Sequence, residues 1–268
     1  MITASIVLYH TPTEEVKSIV SRLRQYPQMG DIWLIDNSES MTEALMFLPV
    51  TYIFNNKNLG YGTAHNIALR KVLEQNNSDY HLVINADTKF SIDTLNSIID
   101  YMNANPDVAQ VMPRVLYPDG REQHLAKLLP TPSDLITRRF LPNSWTKKRT
   151  AKFELHHLSK DRPYCIPCLS GCFMMLRTEA LRNVGIFDER YFMYAEDIDL
   201  TRRLYQLYRT IYLPTTTIIH YHHRASYHSS HMLWVHVVNI CRYFNKWGWF
   251  FDSQRTEINN FILDNIKK

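Results

Sequence analysis

The chain is poor in glycine, with seven residues in 268, and has only four cysteines. No apolar run is long enough to cross a membrane as a helix. The opening stretch, MITASIVLYH, lacks a basic n-region and does not read as a secretory signal. There is no low-complexity tract, no internal repeat and no linker long enough to divide the chain. These absences exclude a disordered or membrane-spanning chain and point to the cytoplasm. A formal net charge of only +4 gives no argument for nucleic acid. The basic pairs Arg138/Arg139 and Lys147/Lys148 would suit a phosphate-bearing partner or an anionic membrane surface, but a solvated face explains each pair taken alone. Three cysteines sit in CIPCLSGC at 165, 168 and 172; the fourth, Cys241, has no CxxC partner. Reduced thiols in a partly buried strand are therefore expected in preference to a metal–thiolate site.

What is present is 45% hydrophobic sequence with mixed charges, enough to bury a substantial core in one large domain or two small ones. The first hundred residues alternate between strand and helix patterns. ASIVLYH, DIWLIDNS, VTYIFN and HLVINAD are apolar runs of strand length; EEVKSIVSRLRQY, TAHNIALRKVLEQ and SIDTLNSIIDYMNAN carry apolar residues at helical spacing, the last opened by Ser91 as an N-cap. Near-continuous apolar strands joined through helices predict a Rossmann-like, mostly parallel sheet covered on both faces. Residues 121–162 are polar, basic and broken by proline, and take no assignment. Beyond them LSGCFMMLR reads as a strand, TEALRNVG as a short helix ending at Gly185, EDIDLTRRLYQLY as a longer helix and TIYLPTTTIIHYHH as a strand. The last forty residues are aromatic and amphipathic.

Parallel sheets bind ligands at the carboxyl ends of their strands. Here those ends carry Tyr9-His10, Asp36-Asn37-Ser38, Asn55 to Asn58, and Asn85-Ala86-Asp87, which together predict a pocket. The third end continues as NLGYGTAHN, where Gly60 and Gly62 suggest backbone that turns sharply or lies against a ligand at a helix start. The spacing lacks the third glycine of the dinucleotide fingerprint, so an NAD site is poorly supported. Asp87, just past an apolar strand, suits a hard divalent cation, magnesium or manganese, that shares diphosphate oxygens; a helix cap is the alternative. FMYAEDIDL places Glu196, Asp197 and Asp199 together after an apolar stretch. Glu196 and Asp199 share a helix face and Asp197 points elsewhere. An EF-hand is excluded, because from Asp197 the sixth position is not glycine and the twelfth is Tyr208. General-base work and helix initiation both remain open. His220, His222, His223 and His228 follow the last strand, and one of them could complete a metal shell.

Taken in order, YH, IDNS, NLGYGTAHN, INAD, LSGCFMMLR, FMYAEDIDL and IIHYHH resemble the motifs of the family 2 inverting glycosyltransferases, which have a GT-A fold. The resemblance covers nearly the whole chain and is strongest to bacterial rhamnosyltransferase-type enzymes of O-antigen and surface polysaccharide assembly. It implies a catalytic domain over residues 1–230, with a nucleotide-binding half at 1–120 and an acceptor-binding half at 121–230, followed by an aromatic-rich helical extension at 231–268. By resemblance Tyr9, Asp36, Asn58, Gly60, Gly62, Asn66, Asn85 and Ala86 line the nucleotide-sugar pocket, with Asp36 reaching the base. INAD stands where the family has DxD, so Asn85 replaces the first acidic position and Asp87 is left to hold the divalent metal, with His220. Leu169, Ser170 and Gly171 fall on the acceptor side, and Asp197 matches the catalytic base, with Glu196 beside it. Glu196 and Asp199 would orient the site or cap the helix, and Arg202/Arg203 would temper its charge.

The partners implied are a nucleotide-diphosphate sugar and a glycan or polyprenyl-diphosphate-linked acceptor. Rhamnose from a dTDP donor is favoured, with galactofuranose or another hexose from UDP as the alternative. For the tail, Trp234, Phe244, Trp247, Trp249, Phe250 and Phe251 with Arg242 and Lys246 fit an interfacial helix on the inner face of the cytoplasmic membrane, or packing onto the catalytic domain or a second subunit. A nucleotidyltransferase is disfavoured because LYHTPTEEV has no glycine and no basic residue before Lys17. A non-catalytic sugar- or nucleotide-binding subunit remains the reading from a different class.

Overall fold

The computed structural model describes residues 1–134, 143–221 and 230–266. All seven segments expected in the first hundred residues form: β1 (Ile2–Leu8), α1 (Thr13–Arg24), β2 (Met29–Asp36), β3 (Thr51–Phe54), α2 (Tyr61–Gln75), β4 (Tyr80–Ile84) and α3 (Ile92–Ala104). A two-residue strand, β5 (Thr88–Lys89), lies between β4 and α3, and β6 (Val108–Leu116) follows. The unassigned stretch supplies β7 (Ala126–Lys127) and α4 (Asn143–Phe153). Then come β8 (Tyr164–Cys165), β9 (Cys168–Leu169), β10 (Phe173–Arg177), α5 (Thr178–Val184), α6 (Glu196–Tyr205), β11 (Arg209–His220), α7 (Ser230–Trp247) and α8 (Ser253–Ile266). LSGCFMMLR is thus two strands, β9 and β10, interrupted at Ser170-Gly171-Cys172.

Among the described residues the main sheet runs β3-β2-β1-β4-β10-β6-β11-β5, with β8 on β11. The β3-β2-β1-β4 half is parallel, as is β6 with β11, whereas β10 lies antiparallel between β4 and β6. Six of the seven residues of β1 are buried, as a central parallel strand covered on both faces requires. On one face α1 packs Val16, Ile19, Val20 and Leu23, a stripe at i, i+3, i+4, i+7. On the other, α2 sets Ala64, Ala68 and Val72 against Trp33 and Ile35 of β2. Ser91 caps α3 as expected, its side chain accepting from the Thr94 amide at 3.2 Å.

A buried polar chain ties α2 to this sheet. Ser5 Oγ lies 2.7 Å from His65 Nδ1 and 2.8 Å from His81 Nε2, and Thr3 Oγ1 lies 2.8 Å from His81 Nδ1. Burial holds both imidazoles below their usual value, His81 down to about 3, so both are neutral in the fold. Their stabilising contribution is complete above the ordinary imidazole value and is lost as the pH falls below it. The helix fixed this way is the one whose first turn meets the site.

Candidate functional site

Two cavities flank the segment Phe192-Met193-Tyr194. The first, about 370 Å³, opens at the strand ends and is lined by Tyr9, His10, Asn37, Asn58, Gly60, Tyr61, Asn85, Ala86 and Asp87, with Met193 as its far wall. The second, about 190 Å³, is lined by Lys127 of β7, Leu169, Ser170, Asp197 of α6, and Tyr194 with His236 of α7. Adjacent residues therefore face opposite cavities. Tyr194 takes φ +84°, a conformation that L residues rarely adopt. Strained backbone of this kind persists only where the surroundings hold it.

The close seating of that wall explains the glycines. Gly60 has φ +84°, and a Cβ there would lie 2.3 Å from the Phe192 carbonyl oxygen, while the Tyr61 amide donates to the same oxygen at 2.9 Å. Gly62 does not meet the cavity. A Cβ at Gly62 would lie 3.0 Å from Phe187 Cβ and 3.3 Å from Glu196 Cβ, so its role is to let α2 cross the start of α6. Asn66 is also structural: its side chain accepts from the Phe187 amide at 3.1 Å and donates to the Phe187 carbonyl at 2.9 Å. Asp36 is buried and turned away from the cavity. It accepts from Tyr52 OH at 2.6 Å and from the Ser38 amide at 3.0 Å, and its neighbour Asn37 lines the cavity. Asn58 Oδ1 braces the loop by accepting from the Gly60 amide at 3.0 Å.

Tyr61 links the two cavities. Its hydroxyl lies 2.7 Å from the Gly171 carbonyl and 3.0 Å from Asn85 Oδ1, and the Gly171 amide donates to Asp197 Oδ2 at 2.9 Å. Burial pushes the Tyr61 phenol well above its usual value, so it keeps its proton. Asp197 is half-buried, and its other oxygen accepts from the Ile198 amide at 2.8 Å. Burial raises its proton affinity, against the two amides and the nearby charge of Lys127, which lower it. The outcome is a carboxylate at a cavity wall that is a stronger base than a solvated aspartate.

Glu196 lies beneath, 4% exposed, accepting from the Ala195 amide at 2.9 Å. Burial first, and then the charge of Asp197, push it up to about 8. A carboxyl whose folded value is raised stabilises the fold fully below its unfolded value, and that contribution is lost as the pH climbs through about 8. Glu196→Gln, a permanent mimic of the neutral acid, is therefore expected to flatten the fall in stability between about pH 4.5 and about pH 8. Urea unfolding of both proteins across that range measures the difference, and parallel pH curves would refute a neutral Glu196.

Asp199, on the same helix face as Glu196, faces the tail. It accepts from Arg203 Nε at 2.8 Å, Lys246 Nζ at 2.7 Å and Trp247 Nε1 at 2.8 Å. Arg202 does not temper the site's charge, because it pairs with Asp252 at 2.9 Å. A larger cleft, about 680 Å³, opens beside Arg190, Arg242 and Lys246. Arg190 and Lys246 there are paired with Asp188, so the cleft is no strong anion site.

His220 is brought to Asp87 by strand pairing. β11 runs antiparallel to β5 with His220 opposite Thr88, and the Tyr221 amide donates to the Asp87 carbonyl at 3.1 Å. His220 Nε2 then lies 3.3 Å from Asp87 Oδ1. Carboxylate oxygen and imidazole nitrogen at that separation, beside an open cavity, fit two adjacent ligands of a magnesium or manganese ion. Among the described residues no group of three His, Cys, Asp or Glu side chains gathers. A cation here would thus draw its remaining ligands from water or a diphosphate, as magnesium commonly does. His222, His223, His228 and Arg138/Arg139 lie outside the described residues.

From sequence, Tyr61 falls within the Asn58–Gly62 stretch expected at the nucleotide pocket, but nothing there singles it out as the link to Asp197. Lys127 and Gln123, which lie in the stretch without periodicity, are not visible from sequence at all.

The sequence profile of glycosyl transferase family 2 matches residues 16–185. An N-acetylglucosaminyl-diphospho-decaprenol L-rhamnosyltransferase of Mycobacterium tuberculosis is 30% identical over 177 residues, which cover 61% of this chain and only 56% of that enzyme. The rhamnosyltransferase WbbL of Escherichia coli K12 is 27% identical over 253 residues, 89% of this chain and 90% of that one. Among solved structures, GalNAc-T7 with UDP, GalNAc and Mn2+ superposes with a TM-score of 0.61 at 16% identity, over 89% of this chain and 47% of that one. The mannosyltransferase PcManGT of Pyrobaculum calidifontis, in complex with GDP-Man and Mn2+, gives 0.58 at 16% identity, over 91% and 63%. At that identity the likeness speaks to the fold alone.

Proposed function

The chain belongs to glycosyl transferase family 2, and from that premise we propose that it is an inverting glycosyltransferase of surface polysaccharide assembly. It transfers a sugar, rhamnose from a dTDP donor, to a glycan carried on a polyprenyl diphosphate. The single observation that carries this is Asp197, a carboxylate of raised proton affinity set on the wall of one cavity and joined through Gly171 and Tyr61 to the floor of the other. The donor occupies the strand-end cavity and the acceptor the second. The acceptor oxygen forms its bond to the anomeric carbon opposite the nucleotide. The carbon–diphosphate bond breaks with its electron pair, and the acceptor proton passes to Asp197. A divalent cation held by Asp87 and His220 would neutralise charge on the departing diphosphate.

The test is thermal stabilisation of the protein by dTDP, UDP, GDP and CMP, each with and without manganese, followed by transfer assays with the sugar of the nucleotide that binds. Ligands of the native state raise the midpoint by mass action. Selective, manganese-dependent stabilisation by dTDP is expected; selective stabilisation by UDP would move the donor to a UDP-hexose, and no shift with any nucleotide would overturn the reading of the cavity.

The tail serves as a peripheral contact with the anionic inner membrane surface. Among the described residues no helix is long and apolar enough to cross a membrane. Of the six tail aromatics, Phe244 is buried in the core and Trp247 is bonded to Asp199, whereas Trp234, Phe250 and Phe251 are 64%, 79% and 97% exposed. These three are the residues available to an interface. Removing the tail would take Lys246 and Trp247 from Asp199 and Asp252 from Arg202, so Phe250→Ser with Phe251→Ser is the cleaner change. It is expected to abolish flotation with anionic vesicles without altering the unfolding midpoint; unchanged flotation would assign these aromatics to a protein partner or to solvent.

A further inference from the structure

Gln123 lies in the segment between β6 and β7, 7% exposed, with its amide bonded on both sides. Its Nε2 donates to the His220 carbonyl at 2.6 Å and to the Leu116 carbonyl at 3.2 Å. Those two acceptors fix which end of the amide is nitrogen, because the reversed amide would press oxygen against two carbonyl oxygens. Gln123 Oε1 consequently faces the imidazole, 3.0 Å from His220 Nδ1. An amide oxygen only accepts, so the proton in that contact belongs to Nδ1. The neutral ring then carries its lone pair on Nε2, the atom 3.3 Å from Asp87 Oδ1 and 3.2 Å from Asn85 Nδ2, itself a donor. Against the pull of the Asp87 carboxylate for a proton on Nε2, Gln123 and Asn85 together favour, in the neutral ring, the one tautomer that can ligate a cation shared with Asp87.

We infer that Gln123 is a positioning residue that sets the tautomer and ring orientation of His220 for metal binding at Asp87. The inference rests on the metal reading given above. It also assigns a use to the polar segment after β6: the Gln123 amide donates to the Val115 carbonyl at 2.9 Å, so the side chain is held by β6 and reaches the end of β11 across 97 residues of sequence.

The test uses the full chain and two readouts. Two-bond 1H–15N spectra of the metal-free protein at about pH 8.5, some two units above the ordinary imidazole value, report the tautomer directly. The wild type is expected to show His220 protonated on Nδ1, and Gln123→Met to lose that signature. Calorimetric titration with Mn2+ in the presence of the nucleotide diphosphate that binds is expected to show affinity weakened by roughly 10–100-fold in Gln123→Met, the usual effect of removing a partner behind a metal ligand. A wild-type His220 protonated on Nε2 would overturn the inference, as would equal Mn2+ affinity in the two proteins. If the wild type takes up no Mn2+, the metal reading itself fails and the inference with it. If Gln123→Met does not fold, the wild-type spectrum still decides.

Discussion

Asp197→Asn is expected to lower transfer by about two to four powers of ten while leaving nucleotide affinity unchanged, the range that general-base catalysis supplies. The substitution keeps the shape of the side chain and one acceptor oxygen for the Gly171 or Ile198 amide, and removes the group that takes the proton; the other amide then faces an N–H donor. Nucleotide affinity is largely insulated because the strand-end cavity is lined by Asn37, Asn58, Gly60, Tyr61 and Asp87, of which only Tyr61 is linked to Asp197, through Gly171. Stability should change little, because relief of the charge beside buried Glu196 is offset by the loss of one backbone-amide bond. Initial rates and the nucleotide-dependent thermal midpoint of the same preparation separate these effects. Turnover near that of the wild type would remove Asp197 as the base. A wild type that binds nucleotide without ever transferring a sugar would be the non-catalytic subunit.

The same raised proton affinity predicts the acid side of the rate profile. As the pH falls, Asp197 gains its proton earlier than a solvated aspartate and transfer declines with it.

The parts of the site that could be read from sequence are those set by one strand or one helix. A buried parallel strand is a run of apolar residues, so its end is visible as the first polar residue after it, and Asn85, Ala86 and Asp87 follow from HLVI directly. Asp197 is visible because three carboxylates in four residues need a reason. What sequence hides is made across the sheet. Asp36 looks like Asp87, a carboxylate at a strand end, but β3 brings Tyr52 to donate to it at 2.6 Å, a contact that no local pattern announces. Gln123 and Lys127 lie where short strands and loops leave no periodicity, and their meaning depends on contacts with residues far along the chain. Gly62 shows the same limit, because a glycine that admits a ligand and one that admits a neighbouring helix read alike.

The largest effect on stability is expected at Asp199. Asp199→Ala should cost about 3–5 kcal/mol, the usual penalty for removing one partner of a buried ion pair. Its carboxylate is fully buried and joins two helices through three partners: Arg203 on its own helix, and Lys246 and Trp247 on α7. Lys246 keeps Asp188 at 2.9 Å and Arg203 keeps the Val184 and Ile186 carbonyls, but the Trp247 indole N–H loses its acceptor. Asp199→Asn retains an acceptor for that indole and should cost markedly less, so the pair of variants separates hydrogen bonding from charge. Urea unfolding gives both values, and a loss below about 1 kcal/mol for Asp199→Ala would mean that the clamp is screened like a surface pair. Transfer should fall in Asp199→Ala with little change in nucleotide affinity, because Asp199 lies two residues from Asp197 in the first turn of α6. Loosening α7 there also frees His236, which packs edge-on against Tyr194 at 4.9 Å. On this reading the tail would act on catalysis through the helix that bears the proposed base, whether or not its exposed aromatics meet a membrane.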